Sequence, residues 1–424
     1  MRRDPTATGI YVHFPYCIQK CHYCDFYSVG MDRLPELAAP ADANSTHRPR
    51  TTVPDPQLAA FFRNLTTEFE QRLKAGESGA GFRRFEKINT IFFGGGTASL
   101  MPPELIERIL ALFRREFTFT SDVEITVEGN PENFSADYLA GLHQLGVNRV
   151  NVGLQTFRED LLASMHRYYD PGQYETVLEN LAAAKINRIG ADLIYGFPEQ
   201  SADEFYADLK RTVSAGVNHL SVYSLTLEPN TTYAGHVHTG RMRAPGEELQ
   251  ERIFQELPAT LARQGLAQYE VSNFARPGFA CRHNLRYWLY ETYMGLGPGA
   301  HGFDGRFRYG NTRSIAGWQK DPAGAAFDAH DPLQEFPLVY LRLCDTLMLK
   351  DFSDALVAEA GFPESILSSV ATIFEDWRAA GYVERADGAG EKADGVRWTG
   401  AGLLQLDDRI VEMCAALGAA AAIL

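Results

Sequence analysis

The first half of the chain alternates short apolar runs with stretches in which apolar residues recur at helical spacing. Amphipathic stretches at residues 104–117, 136–145 and 203–215 predict helices. Six apolar runs predict strands, at residues 10–14, 88–93, 123–128, 149–154, 188–195 and 219–225. Such alternation is typical of a parallel sheet, and six units suit a partial barrel better than a closed eightfold one. Ligands of these folds gather at the carboxyl ends of the strands.

The alternation is interrupted once and then stops. Residues 30–56 are rich in Pro, Ala and polar residues without periodicity, which predicts a surface insertion. Beyond residue 230 the rhythm ends, and an aromatic stretch at 269–309, punctuated by glycines, predicts hairpins. Helical patterns at 335–349 and 364–380, the two short runs GYVER and VRWT, and a last helix from residue 401 indicate a small domain of winged type. We therefore predict an α/β protein with three parts: a partial (β/α)6 barrel at 1–230, an extension at 231–325, and a mainly helical α+β domain at 326–424.

Length, charge and apolar patterning restrict the classes of function. A chain of 424 residues is long enough for more than one packed unit. Its 40 Lys and Arg against 54 Asp and Glu give a net charge of −14, which disfavours nucleic acid as a partner. No apolar stretch of signal-peptide type follows residues 1–9, and the apolar tail at 415–424 is short of the ~20 residues that span a bilayer. We expect a cytoplasmic protein that has no transmembrane segment and meets a membrane only peripherally.

The densest chemical pattern is CIQKCHYC, directly after the first predicted strand. It places Cys17, Cys21 and Cys24 at spacings of four and three, while the other three cysteines are scattered. In a cytosolic chain such crowding indicates metal binding or catalysis. Three thiolates leave a [4Fe-4S] cluster one ligand short, and an open iron can be chelated by S-adenosylmethionine (SAM). A zinc site completed by His13 or His22, or an incidental group of reduced thiols, would be the alternative.

Further candidates for a SAM pocket follow the next strands. The turn FFGGGTASL contains three glycines, Gly94, Gly95 and Gly96, whose exposed carbonyls could bind the cationic amino group of SAM, although alone it is compatible with a tight strand-to-helix turn. Three polar side chains come at or near the ends of the third, fourth and fifth strands, and one arginine could pair with the SAM carboxylate. These residues are Glu128, Gln155, Asp192 and Arg167. Each by itself is compatible with a capping or surface role, but their recurrence at successive strand ends favours a site.

The spacing Cys-x3-Cys-x2-Cys after the first strand resembles the signature of the radical SAM superfamily. The chain is also similar, over nearly its whole length, to the oxygen-independent coproporphyrinogen III oxidase-like family. Five motifs carry this resemblance in order: YVHFPYCIQKCHYCDFYS, FFGGGTAS, VEGNPE, VGLQTF and ADLIYGFP. It implies the partial (β/α)6 barrel with a C-terminal helical domain, and it implies that Tyr23 faces the adenine of SAM. It also implies SAM contacts for Tyr11, Gly95, Gly96, Thr97, Glu128, Gln155, Arg167 and Asp192.

Two branches of that family differ in chemistry. In the oxidase a fourth cysteine follows two residues after the third, where this chain has Phe26. The CDF form, together with HNLRYW at residues 283–288, resembles the branch regarded as haem chaperones. Imidazole is a common haem ligand, so His283 is the candidate ligand, with Tyr287 and Trp288 as flat apolar surface. A buried structural role for His283, or ligation by Cys281, would be the alternative.

These observations leave two main hypotheses. The first is a haem chaperone that uses a [4Fe-4S] cluster, SAM and an electron donor to deliver haem to a respiratory protein, docking peripherally at the inner membrane where that acceptor is membrane-bound. The second is an enzyme of porphyrin biosynthesis, an oxygen-independent coproporphyrinogen III dehydrogenase. A tRNA-modifying enzyme is disfavoured by the acidic balance and by the absence of a recognisable basic RNA-binding extension. A ferredoxin would need neither an open iron nor so large a scaffold.

Overall fold

The computed structural model describes residues 6–31, 53–74, 82, 85–167, 169–328, 332–344, 347–358, 366–386 and 395–421. The chain divides into two compact units, one of Met1–Phe254 with Thr292–Asp328 and one of Gln255–Glu291 with Ala329–Leu424. The predicted extension at 231–325 therefore contributes residues to both units. Most of the predicted surface insertion at 30–56 lies outside the described residues.

The first unit contains a ten-stranded sheet and a separate two-stranded one. The strands are β1 (Ala7–Phe14), β2 (Tyr16–Cys17), β3 (Val29–Gly30), β4 (Lys87–Gly95), β5 (Thr118–Gly129), β6 (Arg149–Gln155), β7 (Arg188–Tyr195), β8 (His219–Ser224), β11 (Tyr293–Leu296), β12 (His301–Phe303), β13 (Arg308–Asn311) and β14 (Ala325–Asp328), with β9 and β10 belonging to the second unit. Within this unit the large sheet runs in the order β14-β13-β12-β11-β1-β4-β5-β6-β7-β8. All six predicted strands are present, and each pairs in parallel with the next. A seventh parallel strand, β11, pairs with the other edge of β1.

Helices follow the parallel strands. They are α1 (Asp55–Lys74), α2 (Pro103–Arg114), α3 (Ala136–Gln144), α4 (Glu159–Ser164), α5 (Gln173–Ala183), α6 (Ala202–Ser214), α7 (Thr232–His238), α8 (Glu247–Ala262) and α10 (Ile315–Lys320), with α9 in the second unit and the boundary between the units inside α8. Helix α6 begins with a capping box in which Ser201 and Glu204 each bond the other's backbone N–H, which satisfies two donors at the helix start. The predicted helices at 104–117, 136–145 and 203–215 correspond to α2, α3 and α6.

The strands that line the barrel carry polar residues on one face. Along β6 every residue is buried, and Arg149, Asn151 and Gln155 alternate with valine and leucine. Successive side chains of a strand point to opposite faces, so these three share one face. Arg149 forms a buried ion pair with Glu124 of β5, with Nη1 and Oε2 3.7 Å apart. The polar face therefore provides groups that can contact a polar ligand between the strands.

The second unit combines a hairpin, a three-stranded sheet and helices. Its elements are β9 (Ala267–Glu270), β10 (Asn273–Ala275), α9 (Arg282–Trp288), α11 (Pro332–Tyr340), β15 (Leu347–Met348), α12 (Leu349–Ala358), α13 (Ile366–Ala379), β16 (Val383–Arg385), β17 (Gly395–Trp398), α14 (Gly400–Leu404) and α15 (Leu406–Ala421). Strand β17 lies between β15 and β16, and both pairs are antiparallel. Aromatic rings form its core, with Phe374 5.0 Å from Trp377 and Trp377 5.4 Å from Trp398. GYVER and VRWT thus form the predicted pair of strands.

Two predictions in this part of the chain need correction. The hairpins predicted in the aromatic stretch at 269–309 are present as the antiparallel pairs β9/β10 and β12/β13, but HNLRYW between them lies in helix α9, and β11 pairs in parallel with β1. Arg, Leu and His support a helix as readily as a strand, so aromatic content misled the assignment there. The helix predicted at 335–349 ends at Tyr340, and Leu347 already belongs to β15. Among the described helices none is long and apolar enough to cross a bilayer.

Candidate functional site

The three clustered cysteines lie on residues 17–30, which we call the cysteine loop. Cys17 ends β2, whose parallel partner β3 closes the loop at Gly30. The backbone N–H of Val29 donates to the carbonyl of Pro15 at 2.8 Å, so both ends of the loop are tied to the end of β1. All three cysteines are free thiols and are partly exposed. The loop therefore presents its thiols at the carboxyl end of β1.

The thiols influence one another's ionisation. Burial raises the pKa of Cys17, and hydrogen bonds from the side chains of Thr97 and Ser28 oppose part of this effect. Burial, and then the charges of Cys21 and Cys17, raise the pKa of Cys24 to about 12. The thiols of Cys17, Cys21 and Cys24 are therefore close enough to influence one another's charge. Iron binds the thiolate form, so three such donors with no fourth cysteine fit a [4Fe-4S] cluster that has one open iron.

A single-ion site with a histidine ligand fits less well. Among the described residues no three His, Cys, Asp or Glu side chains lie close enough to hold one metal ion. Both ring nitrogens of His13 are occupied, since Nε2 lies 2.7 Å from the carbonyl of Tyr27 and Nδ1 lies 3.1 Å from the hydroxyl of Tyr11. His22 stacks on His166 with ring centroids 4.8 Å apart. His13 is therefore committed to holding the cysteine loop.

The glycines after β4 allow the loop and the barrel interior to come close. A Cβ at Gly96 would lie 2.7 Å from the carbonyl oxygen of Tyr16 and 3.0 Å from Sγ of Cys17. Gly95 has φ of 108° and packs against the ring of His13. A Cβ at Gly94 would lie 2.7 Å from Oε2 of Glu128. Close packing therefore explains all three glycines of FFGGGTASL, and it brings Gly94 next to the carboxyl group of Glu128.

Two carboxylates, Glu128 of β5 and Asp192 of β7, lie in the barrel interior on either side of β6. Burial, together with the charge of Asp192, raises the pKa of Glu128 to about 8. Asp192 accepts hydrogen bonds from Nδ2 of Asn151 at 2.8 Å to both oxygens, and burial raises its pKa as well. Burial and the charge of Glu128 also raise the pKa of Tyr11. A cationic ligand beside this pair would favour ionisation of both carboxyl groups, and Asn151 is a member of the site that the sequence did not single out.

Arg167 connects the cysteine loop with the strands. Its Nη2 donates to Oδ1 of Asn130 and to the carbonyl of Gly153, both at 2.7 Å. Its Nη1 lies 3.5 Å from the hydroxyl of Tyr23 and 4.0 Å from Sγ of Cys21. The guanidinium is always protonated, so it places a positive charge beside the thiols. Asn130, inside the VEGNPE motif, could have been selected as another polar residue at a strand end.

Gln155 is held in an uncommon backbone conformation. It ends β6 with φ of 70°, and its side chain is buried, with Nε2 close to Gly153. A residue other than glycine in this region costs about 1 to 3 kcal/mol and persists where the surroundings impose it, often at functional sites. Gln155 therefore belongs with Glu128, Arg167 and Asp192 at the carboxyl ends of the strands.

HNLRYW lies in the second unit. His283 is fully buried in α9, where its ring packs edge-to-face against Tyr287 at 5.3 Å. Burial, and then the charge of Arg286, lowers the pKa of His283 well below its ordinary value, so the imidazole is neutral. Cys281, the residue just before α9, is buried too. His301 in GLGPGAHG starts β12 with an exposed side chain.

One family profile and several curated proteins are similar to this chain. The profile of the radical SAM superfamily matches residues 11–212, which include every first-unit candidate. Heme chaperone HemW of Mycobacterium tuberculosis is 33% identical over 317 residues, covering 75% of each chain. The protein of the same name from Escherichia coli is 31% identical over 294 residues, 69% of each chain. That of Bacillus subtilis is 32% identical over 306 residues, 72% of this chain and 73% of its own.

A solved structure supports the fold. Coproporphyrinogen III oxidase (HemN) from Escherichia coli superposes with a TM-score of 0.70 at 21% identity, covering 98% of this chain and 91% of that one. This likeness confirms the α/β radical SAM fold. Membership of the superfamily implies a [4Fe-4S] cluster and SAM, in agreement with the donor set on the cysteine loop. The chain therefore belongs to the radical SAM superfamily and, within it, to the family whose curated members are named heme chaperone HemW.

Proposed function

We propose that this protein is a radical SAM haem chaperone that captures haem and passes it to a haem-accepting respiratory protein. The observation that carries the proposal is Phe26, whose side chain is 70% exposed at the position of the oxidase's fourth cysteine. An exposed phenylalanine leaves the donor set at three thiols and supplies no ligand or acid in its place. The relatives named heme chaperone HemW support the same assignment.

In this proposal Cys17, Cys21 and Cys24 hold the cluster. SAM lies at the carboxyl ends of the strands, in contact with Tyr11, Gly95, Gly96, Thr97, Glu128, Gln155, Arg167 and Asp192, and its adenine faces Tyr23. The cluster and SAM, when bound, supply a source of radical chemistry. Glu128 and Asp192 face the cationic part of SAM, whose positive charge offsets the effect of burial and favours the ionised form of both carboxyl groups. Arg167 attracts its carboxylate, with Asn130 and Gly153 fixing the guanidinium.

Haem binds, in this proposal, at α9 with His283 as the axial ligand. The neutral imidazole is the form that ligates iron. Because the side chain of His283 is fully buried, haem can reach the imidazole only when α9 moves away from the residues packed against it. Arg286 forms an ion pair at 3.3 Å with Glu291, which ties the end of α9 to the residues that follow it. Capture is then coupled to opening of this helix.

The proposed partners follow from this role. They are haem itself, a haem-accepting respiratory protein and an electron donor for the cluster, and no nucleic acid is among them. The protein would work in the cytoplasm and, where its acceptor is membrane-bound, dock at the surface of the inner membrane.

Anaerobic reconstitution tests the proposal against the alternative of a coproporphyrinogen III dehydrogenase. The reconstituted protein is assayed in parallel for haem retention through gel filtration, for haem transfer to an apo-acceptor, and for conversion of coproporphyrinogen III. We expect retained haem with a Soret band, transfer to the acceptor and no decarboxylated product. Formation of that product would replace this proposal with the enzymatic one.

A further inference from the structure

A buried carboxylate lies at the centre of a hydrogen-bond network that no cofactor assignment uses. Glu68 of α1 is 0% exposed. Its Oε1 accepts from Nε of Arg72 at 3.0 Å and from Nδ2 of Asn311 at 2.6 Å. Its Oε2 accepts from the backbone N–H of Gly297 at 2.8 Å and from Nε1 of Trp318 at 2.9 Å. Every contact is made within the first unit.

Arg72 balances the charge of Glu68 and extends the network. Its Nη2 donates to Oδ1 of Asn311 at 2.5 Å. Its guanidinium also lies over the ring of Tyr309, 3.9 Å from the centroid. The hydroxyl of Tyr309 in turn bonds the backbone of Gly295 in β11. The buried charges are thus satisfied by one another and by named hydrogen bonds, as buried charges require.

The partners of Glu68 come from three different parts of the chain between β11 and α10. Gly297 follows β11, Asn311 ends β13, and Trp318 lies in α10. A single carboxylate therefore fixes the relative positions of three parts of residues 297–318, which we call the supporting segment. Nδ2 of Asn311 also donates to the carbonyl of Gly297 at 2.8 Å, which closes the segment on itself.

The supporting segment holds the cysteine loop. The backbone N–H of Ile315 donates to the hydroxyl of Tyr27 at 2.8 Å. Arg313 bonds the carbonyl of Asp25 and pairs with its carboxylate at 3.4 Å. At Gly299 a Cβ would lie 2.7 Å from the Cβ of Tyr27, so the two backbones are in close contact. Asp25 directly follows Cys24, and any shift of the segment is transmitted to that thiol.

Net stability does not explain this arrangement well. Apolar residues of similar volume commonly stabilise a core as well as a buried ion pair does, whereas polar networks fix a single geometry. We infer that Glu68, together with Arg72, is a positioning residue for the cluster: it sets the supporting segment against the cysteine loop and thereby the location of the Cys24 thiolate. The inference rests on the proposed cluster ligands and adds a residue that touches neither the cluster nor SAM.

The test compares Glu68→Gln with Glu270→Gln in the full-length reconstituted protein. Glu270 is the control, since it is also a buried carboxylate, 1% exposed, that accepts hydrogen bonds from the backbone of Ser272 and from Nδ2 of Asn273, and it has no contact with the supporting segment among those described. Both variants should lower the melting temperature, because each replaces a buried oxygen acceptor with an NH2 group that cannot accept its hydrogen bonds. Only Glu68→Gln should also lower the iron content per chain and shift the paramagnetic resonance spectrum of the reduced cluster with SAM. A wild-type cluster content and spectrum in Glu68→Gln would overturn the inference.

Two milder variants test the same link if Glu68→Gln does not fold. Tyr27→Phe removes the hydroxyl that accepts from Ile315, and Arg313→Ala removes a side chain that is 53% exposed. Neither disturbs the buried network, and combined they should reproduce the spectral shift without a comparable loss of melting temperature. An unchanged spectrum in that double variant would overturn the inference. Failure of the ligand assignment itself would appear separately, as an intact cluster in Cys24→Ala.

Discussion

The charge of Asp192 adds to the effect of burial on Glu128 and raises the pKa of the Glu128 carboxyl to about 8. At neutral pH this carboxyl therefore holds its proton most of the time. Because Glu128 and Asp192 both lie buried in the barrel interior, on either side of β6, a cationic ligand beside them would favour the ionised form of Glu128. The binding of such a ligand must then be coupled to proton release.

The first prediction is that SAM binding depends on pH through Glu128. A cation beside Glu128 lowers its pKa, so binding below pH 8 expels a proton and the affinity falls as the pH decreases from about 8. The limiting slope is about tenfold per pH unit. Calorimetry in buffers of different ionisation enthalpy measures the released proton. Glu128→Gln should bind more weakly above pH 8 and lose the dependence, and a wild-type pH profile in that variant would contradict the assignment.

The second prediction concerns the cluster ligands. Alanine at Cys17, Cys21 or Cys24 should abolish the site-differentiated [4Fe-4S] spectrum, because each removes one of only three thiolates. Alanine at Cys281, Cys344 or Cys414 provides the control and should leave it intact. Loss of the cluster in one of these three alone would reverse the assignment. Iron content and paramagnetic resonance with added SAM are the measurements.

The third prediction concerns Arg167. The tested variant is Arg167→Lys. Lysine keeps the positive charge, but it lacks the planar guanidinium of arginine and cannot bond Asn130, Gly153 and Tyr23 at the same time. A lost charged hydrogen bond costs roughly 1.5 to 3 kcal/mol, or about one to two decades in SAM affinity. Arg158→Lys, at a partly exposed ion pair with Asp160, is the control and should bind normally. Equal affinities in both variants would show that Arg167 does not contact SAM.

The fourth prediction is that His283→Ala weakens haem binding and changes the Soret band, while Cys281→Ala preserves both. Titration with haem is the measurement, and circular dichroism of each variant checks that the second unit remains folded. The opposite result, loss in Cys281→Ala alone, would identify the thiolate as the ligand.

The fifth prediction uses the close packing at Gly96. A methyl group there would meet the carbonyl of Tyr16 and the thiol of Cys17, so Gly96→Ala should lower cluster occupancy. Gly235→Ala is the control. Gly235 lies in α7, and a Cβ added there would meet no atom within 4 Å, so this variant should be neutral or more stable by about 0.5 to 1 kcal/mol. Unchanged iron content in Gly96→Ala would show that the cysteine loop can shift to make room.

The sequence predicted the six central strands because their apolar runs are buried by helices and sheet neighbours alike. It also selected Glu128, Gln155 and Asp192, since polar residues at successive strand ends of a parallel sheet meet at one edge. Asn151 was missed, because its importance depends on Asp192, which the neighbouring strand β7 brings within hydrogen-bond distance. The assignment of HNLRYW to hairpins was wrong because aromatic residues suit a short buried helix as well as a strand.

Glu68 could not have been found from sequence. On an amphipathic helix a glutamate is ordinarily exposed, and its partners at 297, 311 and 318 are distant in the chain. Only the parallel pairing of β11 with β1 brings those partners to α1.

The pairing of β2 with β3 has a consequence for the lifetime of the protein. The ends of the cysteine loop are joined by backbone hydrogen bonds, between β2 and β3 and from Val29 to Pro15, that involve none of the three thiols. We therefore expect these bonds to persist when the cluster is destroyed by oxidation, in contrast to the fold of small zinc domains, which unfold without metal. Reloading of iron and sulfide onto the three thiols would then restore the protein without its degradation and resynthesis.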